Sequence, residues 1–179
     1  MKAPTGLPGD AITVDRAVAL LGAFCLFLST IEYLIPKPLP FIRIGIANLP
    51  LMIALDILPL PSFISLVFIK ILGQGIITGS LLSYVFLFSL AGTVFSSAAM
   101  YVGWKIAAPR FVSFVGIGVI GALTSNITQI LCARIFIFGE SALYIAPPFL
   151  AVGLVTGISL GVLCELFVQR SRWYGDFKK

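Results

Sequence analysis

The sequence predicts an all-α membrane protein, a single polytopic bundle of about six transmembrane helices. Three observations predict it. The 179 residues are 59% hydrophobic and 11% charged, against roughly 25% charge in a soluble domain, and the mean hydropathy is +1.10. Apolar runs close to the ~20 residues that cross a bilayer recur along the whole length. The basic residues stand singly between these runs, which is the placement expected of loops that set topology.

Taken in order, the first helix is expected from about Thr13 to Leu34, beginning after a polar, Pro/Gly-containing stretch that lacks the features of a cleavable signal peptide. The second, about Ile44 to Leu58, is short and closed by Pro59 and Pro61. The third covers about Ser62–Leu82, the fourth Ser83–Ala107, the fifth Phe111–Phe138 and the sixth Tyr144–Val168. Between the third and fourth, the run Ile76–Leu90 has almost no polar break, so that boundary is set least firmly. The chain reads as one domain, with residues 1–12 as an N-terminal tail, 35–43 as a Pro-rich loop and 169–179 as a basic tail.

Six spans put both termini on one side. That side then carries Lys2, Arg16, Lys105, Arg110, Arg170, Arg172, Lys178 and Lys179, while the other carries Lys37 and Arg43. Eight against two is a positive-inside asymmetry, so both termini are expected in the cytoplasm of a cell-membrane protein, with the Pro-rich segment facing outward. The net charge of +5 therefore reflects topology, and no nucleic-acid partner is expected.

The segment Ile31–Pro50 is the most informative. It sets Glu32, Lys37, Arg43 and Asn48 among Pro36, Pro38, Pro40 and Pro50. Alternate prolines favour an extended path, and extended backbone in a membrane protein must sit at an interface or line a protein cavity. Ionisable and amide groups inside apolar helices are costly and point to function. Lys70 lies mid-way along the third helix with Gln74 on the same face. Asn126, Gln129 and Arg134 follow on the fifth. Together, Glu32, Lys37, Arg43, Asn48, Lys70, Gln74, Asn126, Gln129 and Arg134 are the candidate ligand-binding set. Their cationic surplus suits an anionic group, and Phe41, Tyr84, Phe86 and Phe88 are expected to supply apolar walls. Internal pairing, Glu32 with Lys70 or Arg134, is the structural alternative for any single residue.

Small residues at Gly153, Gly157 and Gly161, and at Ala19 and Ala23, allow close helix approach, either within the chain or against a partner membrane protein. Cys25, Cys132 and Cys164 lie in apolar runs and read as small buried hydrophobes. The chain has no histidine, no DDxxD-type acidic cluster for a metal and a diphosphate, and no Walker A loop. Catalysis, ATP hydrolysis, a cofactor and a metal site are accordingly not expected.

The pattern E-x-x-I-P-x-P-x-P-x-x-R-I-G-x-A-N at Glu32–Asn48 resembles the signature of the heptaprenyl diphosphate synthase component I family, also called the Gx transporter family. So do S-L-A-G-x-x-x-S at Ser89–Ser96, followed by Met100, and N-x-x-Q at Asn126–Gln129. The resemblance covers about Thr13–Gly161. Members often have Arg at the position of Lys70 and His at that of Ser125. The family is similar in turn to the six-helix substrate-binding S components of energy-coupling-factor transporters. The resemblance implies a membrane subunit that captures a small anionic or amphipathic molecule (a vitamin, flavin or isoprenoid) beneath an Ile31–Ile44 lid, driven by a membrane T subunit and ATPases. The alternatives are a non-catalytic membrane subunit of isoprenoid or quinone synthesis, partnered by a prenyl synthase, and a membrane subunit of a flavin or quinone electron-transfer system.

Overall fold

The computed structural model describes residues 8–35, 45–81, 83–107, 113–171 and 174–175. Among these are six α-helices: α1 (Pro8–Leu34), α2 (Leu49–Ile57), α3 (Leu60–Ile77), α4 (Tyr84–Ala107), α5 (Phe114–Ala133) and α6 (Ala142–Arg170). A 3-10 turn, Ile46–Asn48, leads into α2, and a π-helical turn, Arg134–Phe138, follows α5. No strand occurs among the described residues. The stretches long and apolar enough to cross a membrane are Val14–Leu34, Leu60–Ile77, Tyr84–Ile106 and Phe114–Arg170, the last containing both α5 and α6.

The burial pattern is that of a protein dissolved in lipid. Phe27, Phe68, Leu72, Phe95, Val155 and Leu163 are exposed on the outside, while Ser29, Glu32, Lys70, Gln74, Thr93, Ser96, Asn126 and Gln129 are buried. Polar groups inside and large apolar groups outside minimise free energy only where the surrounding solvent is hydrocarbon. The chain is a helical, multi-pass membrane bundle.

The second helix departs from expectation. At nine residues α2 is about 14 Å long, half of the ~30 Å hydrocarbon core, so it does not span. It is buried on every side from Leu49 to Leu55 and touches α1, α3, α4, α5 and α6. A helix that is apolar all round belongs in a protein interior, and α2 is the central post of the bundle. Local sequence sets its length. Pro50 occupies the first turn, where its missing N–H is no loss. Leu58, preceding Pro59, is extended at φ −103° and ψ 140°, because proline disfavours a helical residue before it.

Contacts made by the glycines fix the directions of the helices. Gly22 meets Leu66 and Ile69, and Gly73 meets Leu26, so α1 and α3 run parallel. Gly118 meets Gly157 and Gly161, and Gly121 meets Met100, so α5 is antiparallel to both α6 and α4. The Tyr174 hydroxyl donates to Asp56 at the end of α2, which places the C-terminal end of α6 beside that of α2. Burial, and then this hydrogen bond, push the Tyr174 phenol above its usual range.

The break between α3 and α4 is also resolved. Thr78 ends α3 and Gly79 follows at φ +62°. The Gly79 N–H donates to the Ile76 carbonyl at 3.1 Å, and the Ser80 N–H to Gly75 at 3.1 Å. This is the paired arrangement by which a left-handed glycine closes a helix.

The small residues of α6 serve the chain itself. A Cβ on Gly161 would lie 2.3 Å from the Val115 Cα, and one on Gly157 would lie 2.8 Å from the Gly118 carbonyl oxygen. Gly153, Gly157 and Gly161 are therefore buried against α5 and are not open to a partner. Ala19 and Ala23 do lie on the exposed face of α1.

Candidate functional site

Near the level of Lys70, three groups of side chains converge, the first of them drawn from α1, the turn before α2 and α3. From α1 comes Glu32, whose carboxylate accepts the Gly45 N–H at 3.1 Å. Gly45 has φ +84°, a left-handed conformation that glycine adopts without strain, and it starts the turn that delivers Asn48. The Lys70 ammonium donates to the Asn48 side-chain oxygen. Gln74 lies one helical turn further along α3. Lys70 is only 3% exposed and Glu32 2%, so a cation and an anion are both held in the interior, each within a polar network.

The second contribution is α4. Gly92 lies so close to α5 that a Cβ there would be 3.0 Å from both the Gln129 amide nitrogen and the Ser125 hydroxyl. The third is α5 itself. The Asn126 amide donates to the Phe149 carbonyl of α6 at 2.9 Å, and Gly153 leaves the room for it, since a Cβ would fall 2.1 Å from that nitrogen. Gln129 donates to Ser125 at 2.9 Å. Its amide oxygen is buried with no hydrogen-bond partner among the described residues.

Glu32, Asn48, Lys70, Gln74, Thr93, Ser125 and Asn126 line one cavity, completed by Met52, Met100 and the backbone of Gly118 and Gly121. Its volume is about 30 Å³, the share of one water molecule. In this conformation the polar cavity can hold a water or an ion of similar size. Vitamin-sized ligands occupy pockets of roughly 300–1,000 Å³.

Of the expected set, the structure brings together Glu32, Asn48, Lys70, Gln74 and Asn126, with Gln129 packed directly behind Ser125. Arg134 is a correction: it pairs with Glu140 at 2.5 Å on the surface, its side chain 41% exposed, because the π-helical turn carries it beyond the end of α5. Lys37, Arg43, Phe41 and most of the Pro-rich loop lie outside the described residues. Tyr84, Phe86 and Phe88 do not line the cavity; Phe88 packs with Phe136 and Ala133, and Phe86 covers Gly75. Gly45, Thr93 and Ser125 were missed as cavity residues. Gly45 had a signal, as the glycine before Asn48.

A second hollow, about 320 Å³, lies between α3 and α4. Leu60, Phe63, Ile64, Val67, Phe68 and Ile71 form one wall, and Val94, Ser97, Ala98, Tyr101 and Val102 the other. Ile64, Phe68, Val94 and Val102 are exposed, so the groove opens on the lipid-facing surface.

Fold and interior together define a polytopic helical membrane protein with a buried polar core. The family model described as heptaprenyl diphosphate synthase component I matches residues 21–167. The chain belongs to that family, and of the residues that carry the resemblance Glu32, Gly45, Ala47, Asn48, Met100 and Asn126 line the interior cavity just described. No curated protein and no solved structure matches the chain.

Proposed function

We propose that the chain is a non-catalytic membrane subunit of isoprenoid diphosphate synthesis, holding a prenyl chain at the bilayer for a separate catalytic partner. The observation that carries this reading is the α3/α4 groove: at about 320 Å³ it is ligand-sized, apolar along its length and open to lipid. The family description supports it. Prenyl transfer needs acidic residues to hold the metal and the diphosphate, and the sequence lacks such a cluster, so the chemistry is assigned to the partner. The positive-inside distribution of Arg16, Lys105 and Arg170 supports a cytoplasmic position for the termini, in the cell membrane.

A second reading, a transporter substrate-binding subunit like an energy-coupling-factor S component, is favoured by the buried Glu32–Asn48–Lys70–Gln74 network, which is costly to keep inside a membrane protein. On this reading the network, with Lys37 and Arg43 from the lid, binds the anionic part of a soluble ligand.

Reconstitution separates the two. The purified chain in liposomes is combined with the soluble prenyl diphosphate synthase of the same cell. The first reading expects faster or longer-chain product than with empty liposomes, and none from the chain alone. Identical product with and without the chain, together with uptake of a labelled vitamin once ATPase and T subunits are added, would replace it with the second.

A further inference from the structure

The α3/α4 groove has a polar end. Its α4 wall is the stripe Val94, Ser97, Ala98, Tyr101 and Val102, and the next residue on that stripe is Lys105, one turn beyond Tyr101. The Lys105 ammonium lies over the Tyr101 ring, 5.7 Å from its centroid, within the range of a cation–π contact. The Tyr101 ring in turn lies 5.5 Å from that of Phe63 on the opposite wall. The Leu60 end of the groove is therefore closed by two aromatic rings and capped by an exposed cation, whereas the Ile71 end is entirely hydrocarbon.

We infer that this groove binds a prenyl diphosphate in one orientation, with the diphosphate at Lys105 and the first isoprene units lying along α3 toward Ile71. The inference rests on the isoprenoid reading above and adds the direction of the ligand and the residue that reads its charge. The dimensions fit. Leu60 to Ile71 is about 17 Å of helix, so a tail anchored at the Lys105 end reaches toward the middle of a ~30 Å hydrocarbon core. A volume of about 320 Å³ holds roughly ten groups the size of a water molecule, or about two isoprene units, and the remaining tail passes through the open side into lipid. Lys105 is the charge complement of a diphosphate and stands where α4 leaves the apolar span. A neutral prenyl alcohol gains nothing from it.

The test uses two photoreactive probes with the same farnesyl-length tail, one a diphosphate and one an alcohol. The full chain is held in phosphatidylcholine nanodiscs and cross-linked peptides are identified by mass spectrometry. The diphosphate is expected to label α3 and α4 between Leu60 and Val102. Lys105→Glu should cut that labelling about tenfold, the effect of losing one charge-assisted contact, Lys105→Arg should retain it, and alcohol labelling should be unchanged by either. If both probes label the groove equally and Lys105→Glu is silent, the charge assignment is overturned while the isoprenoid groove stands. If neither probe labels α3 or α4, the isoprenoid reading fails with it. If excess phosphatidylglycerol abolishes diphosphate labelling, the groove is a general anionic-lipid slot and the inference is overturned.

Discussion

The interior cavity and the α3/α4 groove are opposites. The interior cavity is lined by charged and amide side chains, ringed by all six helices and only about 30 Å³. The α3/α4 groove is apolar, open to the bilayer and about 320 Å³. The comparison teaches that costly chemistry and available space are separate properties. Buried charges such as Glu32 and Lys70 attract attention because hydrocarbon penalises them, yet here they are engaged in hydrogen bonds that hold α1, the turn before α2, and α3 together. Ligand-sized space lies where side chains are chemically unremarkable and two helices merely diverge.

That contrast makes substitutions at the centre primarily structural. The largest effect is expected for Lys70→Ala, which removes a charged donor from Asn48. It should lower stability by about 2–3 kcal/mol, read as thermal unfolding in detergent. A stable Lys70→Ala variant would show that the interior is loosely held and would weaken the contrast. Gly45→Ala follows, at about 1–2 kcal/mol for a left-handed alanine, made worse by a Cβ 3.1 Å from the Asn48 amide. It should disturb Asn48 and Lys70 together, so Gly45→Ala combined with Lys70→Ala should cost less than the sum of the two.

Tyr174→Phe removes the bond to Asp56 at the other end of α2 and should cost about 1 kcal/mol. Its pH dependence has a definite sign. Because the folded phenol is raised, the contribution is complete below the unfolded value of about 10 and is lost as pH rises through the folded value. The wild type should therefore lose more stability above about pH 10 than Tyr174→Phe does, measured by alkaline unfolding. The smallest effect belongs to Arg134→Ala. Its ion pair with Glu140 is exposed, and such pairs contribute less than ~1 kcal/mol; the unfolding temperature should barely move.

Much of this was legible in the residues, for identifiable reasons. Hydrophobic run length located α1, α3, α4, α5 and α6 within a few residues, because hydrocarbon imposes a length on any helix that crosses it. It could not decide whether the short α2 spans, since an apolar run looks the same whether lipid or protein surrounds it; Pro50 and Pro59 mark its nine residues. The α3/α4 break was written at Gly79–Ser80, a closing signal hidden by the hydrophobicity around it. Glu32, Asn48, Lys70, Gln74 and Asn126 could be collected in advance because charge and amide are conspicuous in an apolar chain. Arg134 was misplaced because periodicity continues through Phe138, while the backbone changes pitch at Arg134 itself. The groove left no trace, because in helices apolar on most faces the stripe Leu60, Phe63, Val67 and Ile71 is not distinguished from its neighbours. The α6 glycines were visible as a close-packing motif, but whether α5 or another protein packs there depends on tertiary structure.

The central claim is that the ligand lies in the lipid-facing groove and not in the interior. Native mass spectrometry tests it most directly, with the detergent-purified chain and Ala98→Trp, which fills the groove from the α4 side, each incubated with farnesyl diphosphate. The account predicts a bound farnesyl diphosphate on the wild type and its loss from an Ala98→Trp protein that still unfolds cooperatively at the wild-type temperature. Retention of the ligand by that folded variant would contradict it and return attention to the cavity around Lys70.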